Sequence, residues 1–283
     1  SSRYGRSALF TGGSMSFLIS GLHLVPKNAV SRMAGRFSRS NVSKAIIPWF
    51  VRRYRLNLDE AVVPEGGFET LHDLFTRALK PGARVIDPVA NLVSPADSVL
   101  AQGGAVESDR IVQAKGRTYS LAEMLGEDPG PGAWQFGTFY LAPTDYHRVH
   151  SPADLEVLER RSVPGALWPV NPVSVAEVDQ LFCVNERVVL KCRHAQGGIV
   201  YVVFVGATIV GGIRLAFDED YGSNQGGQNN EHRVYDPPIP MAKGQELGHF
   251  ELGSTVVLAW ESTLGELKAP LADAIQVGDA LDA

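Results

Sequence analysis

The chain of 283 residues is 45% hydrophobic and 20% charged, which allows one or two domains with a sizeable core and excludes wholesale disorder. Its net charge of -5 hides an asymmetry: residues 1–58 hold ten of the 26 basic residues and none of the 31 acidic ones. An acidic body is a poor partner for nucleic acid, whereas a basic head calls for something anionic. Cys183 and Cys192 have no C-x-x-C spacing, so neither a disulfide framework nor a cysteine-built zinc site is expected, and a reducing compartment fits best.

Along the chain, Ser7–Pro26 is free of charge but too rich in Gly, Ser and Thr for a spanning helix. An acid-free N-terminus rich in Arg and Ser also matches a transit peptide. Val30, Met33, Ala34 and Phe37 suggest a short helix, and Asn41–Leu58 a second, amphipathic one. In the second, Ile46, Ile47, Phe50, Val51 and Tyr54 line one face, with Lys44, Arg52, Arg53 and Arg55 elsewhere. Pro48 should kink this helix or mark its first turn. The two helices either pack on the core with solvated arginines or lie in a membrane interface with Trp49 and Phe50 inserted; the absence of acid favours the membrane.

Thr70–Leu79 reads as helical. From about residue 85 short strands are expected: Arg110–Gln113, Thr138–Leu141, Glu186–Lys191, Ile199–Val205, Ala207–Ile213 and Thr255–Trp260. Ser120–Leu125 and Val175–Leu181 read as helices. The polar stretch 218–238 reads as a long loop, either a functional lid or simply mobile. Val93-Ser94-Pro95-Ala96-Asp97 is echoed by His150-Ser151-Pro152-Ala153-Asp154, and more loosely by Lys268–Asp273. Pro-containing turns entering short strands fit a barrel-like sandwich, while the echo by itself is too short to establish duplicated halves. The expected class is α+β: a basic amphipathic helical region over 1–60, then a β-rich, barrel-like sandwich catalytic domain over 61–283.

Three segments bear chemistry. Gly253-Ser254 precedes the apolar run Thr255–Trp260. A glycine turn with a capping hydroxyl is the plain reading. The alternative is that the hydroxyl attacks its own peptide carbonyl once a base takes its proton. Asp145-Tyr146-His147-Arg148-Val149-His150 places two histidines three apart, which on a straight strand face opposite sides, so one site needs a bent chain. Ser94-Pro95-Ala96-Asp97 is by itself a turn signature that caps backbone amides, and Asp154 is its internal competitor.

Taken with Phe75-Thr76-Arg77, Leu79-Lys80-Pro81-Gly82, Gln113-Ala114-Lys115-Gly116, Val205–Gly211 and Gly248–Thr255, these segments resemble bacterial phosphatidylserine decarboxylases over roughly residues 70 to 260. The resemblance implies a triad of Asp97, His150 and Ser254. Autocatalytic serinolysis would follow at Gly253-Ser254, giving a β chain 1–253 and an α chain 254–283 capped by a pyruvoyl group made from Ser254. It also implies His147 as the residue that positions the carboxylate or protonates the carbon, with no metal among the site residues. Phosphatidylserine is the implied substrate and phosphatidylethanolamine the product, at an anionic membrane surface on the cytoplasmic face, and a homodimer is allowed. The alternatives are a pyruvoyl decarboxylase of a soluble amino acid, a zinc hydrolase using His147, His150, His232 and His249, and a non-catalytic lipid-binding module.

Overall fold

The computed structural model describes residues 27–114, 116–208, 212–223, 230–251 and 254–282. Residues 1–26, Lys115, 209–211, 224–229, Leu252, Gly253 and Ala283 lie outside the described residues, and with them part of the basic head, parts of three matched motifs, the middle of the expected 218–238 loop and one partner of the expected cleavage site.

Helix α1 (Lys27–Ser38) leads through a 3-10 turn (Asn41–Ile46) into α2 (Ile47–Tyr54), so the single helix expected over Asn41–Leu58 is split, with Pro48 in the first turn of α2. That is where a missing N–H costs nothing. Helix α3 (Leu71–Phe75) starts on a capping box between Thr70 and Asp73 and is shorter than the expected Thr70–Leu79. It stops because Thr76 and Arg77 turn their side chains back onto the carbonyls of His72 and Leu74. Further on, α4 (Leu121–Leu125), α5 (Pro172–Glu177) and α6 (Leu181–Val184) are single turns.

The strands are β1 (Ser98–Ala105), β2 (Arg110–Ala114), β3 (Arg117–Ser120), β4 (Trp134–Tyr140), β5 (Arg148–His150), β6 (Leu155–Val163) and β7 (Arg187–His194). They continue as β8 (Ile199–Val205), β9 (Ile213–Leu215), β10 (Asp218–Gly222), β11 (Glu231–Met241), β12 (Glu246–Phe250), β13 (Thr255–Glu261) and β14 (Ala274–Ile275). Eight form one antiparallel sheet in the order β11-β6-β7-β8-β13-β4-β1-β14, and β10-β9-β12-β5 form a second. The large sheet is open, ending at β11 and β14, so the fold is mixed and strand-rich without the closed barrel that the sequence suggested. Of the expected polar loop over 218–238, residues 218–222 form β10 and 231–238 belong to β11, while 224–229 lie outside the described residues. Pro237, Pro238 and Pro240 of β11 sit on an edge strand, where the register with β6 breaks between Val234 and Ile239.

The large sheet has an internal two-fold. Leu258 pairs with Val202 at its centre, between β13 and β8, and the pairings on either side repeat outward. Val99 and Leu100 oppose Tyr140 and Phe139 before a bulge, as Glu156 and Val157 oppose Arg193 and Cys192 before another. Ser98 opposes Ile275 as Leu155 opposes Met241. The sequence echo lies on this relation: Ser94 Oγ donates to the Ala96 carbonyl at 2.9 Å and Ser151 Oγ to that of Ala153 at 2.7 Å. Asp97 accepts the Val277 N–H at 3.0 Å and Asp154 the Lys243 N–H at 2.9 Å. The two turns also join one another, Val93 N–H to the Pro152 carbonyl at 2.9 Å and His150 N–H to the Pro95 carbonyl at 2.8 Å. The looser third copy has no such place; its end pairs with Leu100 of β1.

Leu100, Phe139, Val202, Val203, Leu258 and Trp260 are fully buried in the main core. A smaller cluster of Leu56, Phe68, Leu71, Leu74 and Phe75 receives Ile46, Ile47, Phe50 and Val51 from the helical layer. In the second sheet, β12 runs against β9 so closely that a Cβ on Gly248 would lie 2.2 Å from the Arg214 carbonyl oxygen. Gly248→Ala is therefore expected to destabilise the chain by about 1–3 kcal/mol, the usual range for overpacking, measured by denaturant unfolding.

Candidate active site

Ser254 stands at the head of β13 and is fully buried. Its carbonyl accepts the Leu141 N–H at 3.0 Å, just beyond the end of β4. Under the internal two-fold this bond matches His194 N–H to the Gly198 carbonyl, also 3.0 Å, inside the tight turn that joins β7 to β8. Ser254 thus occupies the place of a hairpin glycine, but here β4 and β13 are neighbours in space and far apart in sequence. Its hydroxyl donates to the Val205 carbonyl.

The chain leaving β4 at Leu141 carries the histidine segment. Arg77 donates to the carbonyls of Thr144 and Asp145 at 3.3 and 3.2 Å, and Arg148 donates to the Thr76 carbonyl at 3.0 and 2.8 Å. The Phe75-Thr76-Arg77 motif is therefore the clamp of this segment, with the Phe75 ring edge-on to His147 at 5.6 Å.

The two histidines have different settings. His147 is fully buried, and Nδ1 lies 2.8 Å from the Asp145 carbonyl, which requires the proton on Nδ1. Nε2 is then a bare acceptor, buried and without a hydrogen-bond partner. Burial, reinforced by the nearby Arg77 guanidinium, pushes its pKa down to about 3. His150 is less deeply set. Its Nδ1 donates to the Gly244 carbonyl at 2.7 Å, so Nε2 accepts from the Tyr146 hydroxyl at 3.1 Å. Burial lowers the His150 pKa too, while the Gly244 contact, Glu246 and Asp97 raise it.

Asp97 lies close enough for its charge to act on His150, but its hydrogen bonds go elsewhere. Arg84 grips it with Nε, 2.8 and 3.1 Å from its two oxygens, and with Nη2, and also reaches Glu60 at 2.9 Å. The turn thus joins Asp97 and His150 through the backbone, and Ser254 shares the β4 end with the segment bearing both histidines. The three expected triad side chains make no direct hydrogen bonds to one another. Asp97, Asp145, Tyr146, Arg77 and Arg84 line a cavity of about 680 Å³, together with Tyr54 and Arg55 at the end of α2. Among the described residues no three His, Cys, Asp or Glu side chains form a group able to hold a metal ion.

Reading the sequence assigned nothing to Arg84, Tyr146 or Glu251. Tyr146 and Glu251 lie inside matched segments and Arg84 follows Lys80-Pro81-Gly82, so adjacency to those segments is the signal that could have found them.

A buried serine at a strand head and a neutral buried histidine are thus delivered to the same end of the large sheet, with Asp97 and His150 close by. Residues 71–282 match the phosphatidylserine decarboxylase family, and the chain belongs to that family of lyases. Relatives annotated by name as phosphatidylserine decarboxylase proenzymes include that of Anaeromyxobacter sp. (strain K), 42% identical across 92% of this chain and 94% of its own. That of Chromobacterium violaceum is 39% identical across 92% of this chain and 96% of its own. That of Marinobacter nauticus is 42% identical across 83% and 86%.

Because its folded pKa is depressed, His147 contributes stability that is complete above 6.5 and is lost as the pH falls toward about 3, where the unfolded chain binds the proton first. Side-chain nitrogen NMR is expected to show His147 as the neutral Nδ1–H form at pH 5, when an exposed histidine is mostly charged.

Proposed function

We propose that the chain forms a pyruvoyl group at position 254 by self-cleavage and uses it to decarboxylate phosphatidylserine to phosphatidylethanolamine. The observation that carries this reading is the place of Ser254: buried at the head of β13, next to the strand end from which the histidine segment departs. The site suits such a group, since the bare buried Nε2 of His147 is an acceptor with no use in the fold itself.

His150 accepts the hydroxyl proton of Ser254, whose oxygen attacks the carbonyl carbon of Gly253, and returns that proton to the nitrogen of residue 254 as the C–N bond breaks, so that the peptide bond becomes an ester. For this, Nε2 exchanges the Tyr146 hydroxyl for that of Ser254, and Ser254 leaves the Val205 carbonyl. Asp97 stabilises the charged imidazole. Elimination releases Gly253 as the carboxyl end of chain 1–253. The dehydroalanine left at 254 takes up one water and loses ammonia to give the pyruvoyl end of chain 254–283. The smaller chain supplies β13, paired on both sides by β4 and β8, so sheet hydrogen bonds hold the pieces together.

The pyruvoyl ketone supplies a sink for the electrons released with carbon dioxide. His147, neutral at working pH with its Nε2 lone pair free, accepts a hydrogen bond from the bound substrate and positions it for loss of the carboxylate. Residues 1–60 form the region that meets the anionic bilayer. Met33, Phe37, Val42, Trp49 and Tyr54 are exposed on the helical layer, and no described helix is long and apolar enough to cross a membrane. Phe50, expected to insert beside Trp49, instead packs against Phe75 at 5.2 Å, so that of the two only Trp49 faces outward.

Intact mass of the denatured protein is expected to show two polypeptides, 1–253 and 254–283, the smaller with a blocked N-terminus. Ser254→Ala, Asp97→Asn and His150→Ala should stay whole, whereas His147→Ala should cut and decarboxylate poorly. Asp154→Asn, at the matching position of the other half, should cut. A wild-type chain that stays whole while folded would refute the proposal.

Replacing Arg52, Arg53 and Arg55 by Gln is expected to weaken binding to anionic vesicles by up to about 3 kcal/mol, at roughly 1 kcal/mol each and less at high salt. Trp49→Ser should weaken it independently of salt. Co-sedimentation across a salt series checks both.

A further inference from the structure

Glu251 ends the approach to Ser254 from β12, and its carboxylate is nearly inaccessible, at 3% side-chain exposure. A buried carboxylate is unfavourable unless cations hold it. Two do so: Arg39, just past the end of α1, pairs with Oε1, and Arg214 Nε of β9 lies 3.5 Å from the same oxygen. Oε2 has no hydrogen-bond partner, so the site is held from one side. The backbone of the same residue is fixed as well, Glu251 N–H donating to the Gly212 carbonyl at 3.1 Å.

Arg39 is the unusual member. It belongs to the helical layer, 212 positions away in sequence, and reaches across to the strand that enters the cleavage site. The other ion pair of that layer among the described residues, Lys44 with Glu69, lies at the surface with side chains 48% and 69% exposed. Such an exposed pair contributes little, whereas removing one partner of a buried pair leaves an uncompensated charge.

We propose that Arg39 is a positioning residue for self-cleavage: by holding Glu251 it fixes the direction in which the chain leaves β12 for Ser254. The inference rests on the self-cleavage reading above. Attack of a hydroxyl on the preceding carbonyl needs the two groups aligned, and the chain is anchored on one side at Glu251 and on the other by the Leu141 bond to the Ser254 carbonyl. Without Arg39 the carboxylate moves toward water and takes the chain with it. After cleavage Glu251 belongs to the larger chain and is no longer linked covalently to position 254. Arg39 therefore governs the formation of the active enzyme far more than its turnover.

The test follows freshly synthesised full-length chain by gel and then measures decarboxylation per mole of cut protein. Arg39→Gln and Glu251→Gln should each slow cleavage, roughly tenfold to a hundredfold, the range associated with small misplacements of reacting groups. The double variant should be no slower than the slower single one, because both remove the same contact. Arg39→Lys should restore most of the rate, Lys44→Gln should cut like wild type, and kcat per cut molecule should stay near the wild-type value throughout. Arg39→Gln cutting as fast as wild type overturns this inference alone, as does a fall in kcat per cut molecule in proportion to the slowed cleavage. Should Arg39→Gln fail to fold, Glu251→Gln decides: a wild-type cleavage rate there overturns it. A wild type that never cuts overturns the self-cleavage reading itself.

Discussion

Val93 and His150 each give a backbone N–H to the proline carbonyl of the other's Ser-Pro-Ala-Asp turn. Through this exchange the entries of β1 and β6 are tied together and the two halves of the large sheet are set about the Leu258–Val202 pair. It also brings Asp97 into electrostatic reach of His150, since Asp97 follows one turn and His150 precedes the other. The carboxylate and the histidine of the proposed triad are thus joined by main-chain hydrogen bonds and not by a bond between their side chains. Main-chain bonds of this kind, buried and geometrically fixed, are a firmer support than a bond between two rotatable side chains.

The same symmetry shows where function departs from scaffold. Asp97 and Asp154 do identical structural work, each capping one backbone amide. They differ in their neighbours: Arg84 and His150 surround the first, while the second is exposed. A carboxylate's role is therefore set by what faces it and not by the motif that carries it. Likewise Gly198 closes a tight hairpin at φ +85°, and Ser254 fills the matching place with no hairpin to close. The strand end left open on that side is where the chain brings in its histidines.

How much of this could be read from sequence depended on burial. Ile199–Val205 and Thr255–Trp260 are buried along nearly their whole length, so their strands appear as unbroken apolar runs. Strand β6 was missed because it contains Glu159-Arg160-Arg161, yet Arg160 is buried over the Tyr221 ring and paired with Asp218 and Glu231. A charged residue compensated through space leaves no apolar signal in its own segment. The candidate residues Asp97, His147, His150 and Ser254 were legible because short motifs mark them. Arg84 on Asp97, Tyr146 on His150 and Arg39 on Glu251 were not, because those contacts arise only once distant elements pack. The barrel expectation failed for a related reason: turns repeated at intervals predict paired strands but not whether the last pairs with the first.

The helical layer and the site share one residue. Phe50 of α2 packs on Phe75, and that ring also meets the imidazole of His147 edge-on. The neutral state of His147 comes first from burial, so whatever keeps Phe75 in place keeps the imidazole dry and its Nε2 lone pair available. A layer that presents Trp49 outward and Phe50 inward therefore acts on both sides at once. Its outer face carries exposed apolar side chains, and its inner face maintains the low-dielectric setting that keeps His147 neutral, with Nε2 as a bare hydrogen-bond acceptor. Arg39 makes the second connection, electrostatic where Phe50 is apolar, and it reaches the strand entering Ser254. Loss of either contact would be felt at a different place, the first in the neutral state of His147, whose pKa would rise as water enters, and the second at the Glu251 end of β12.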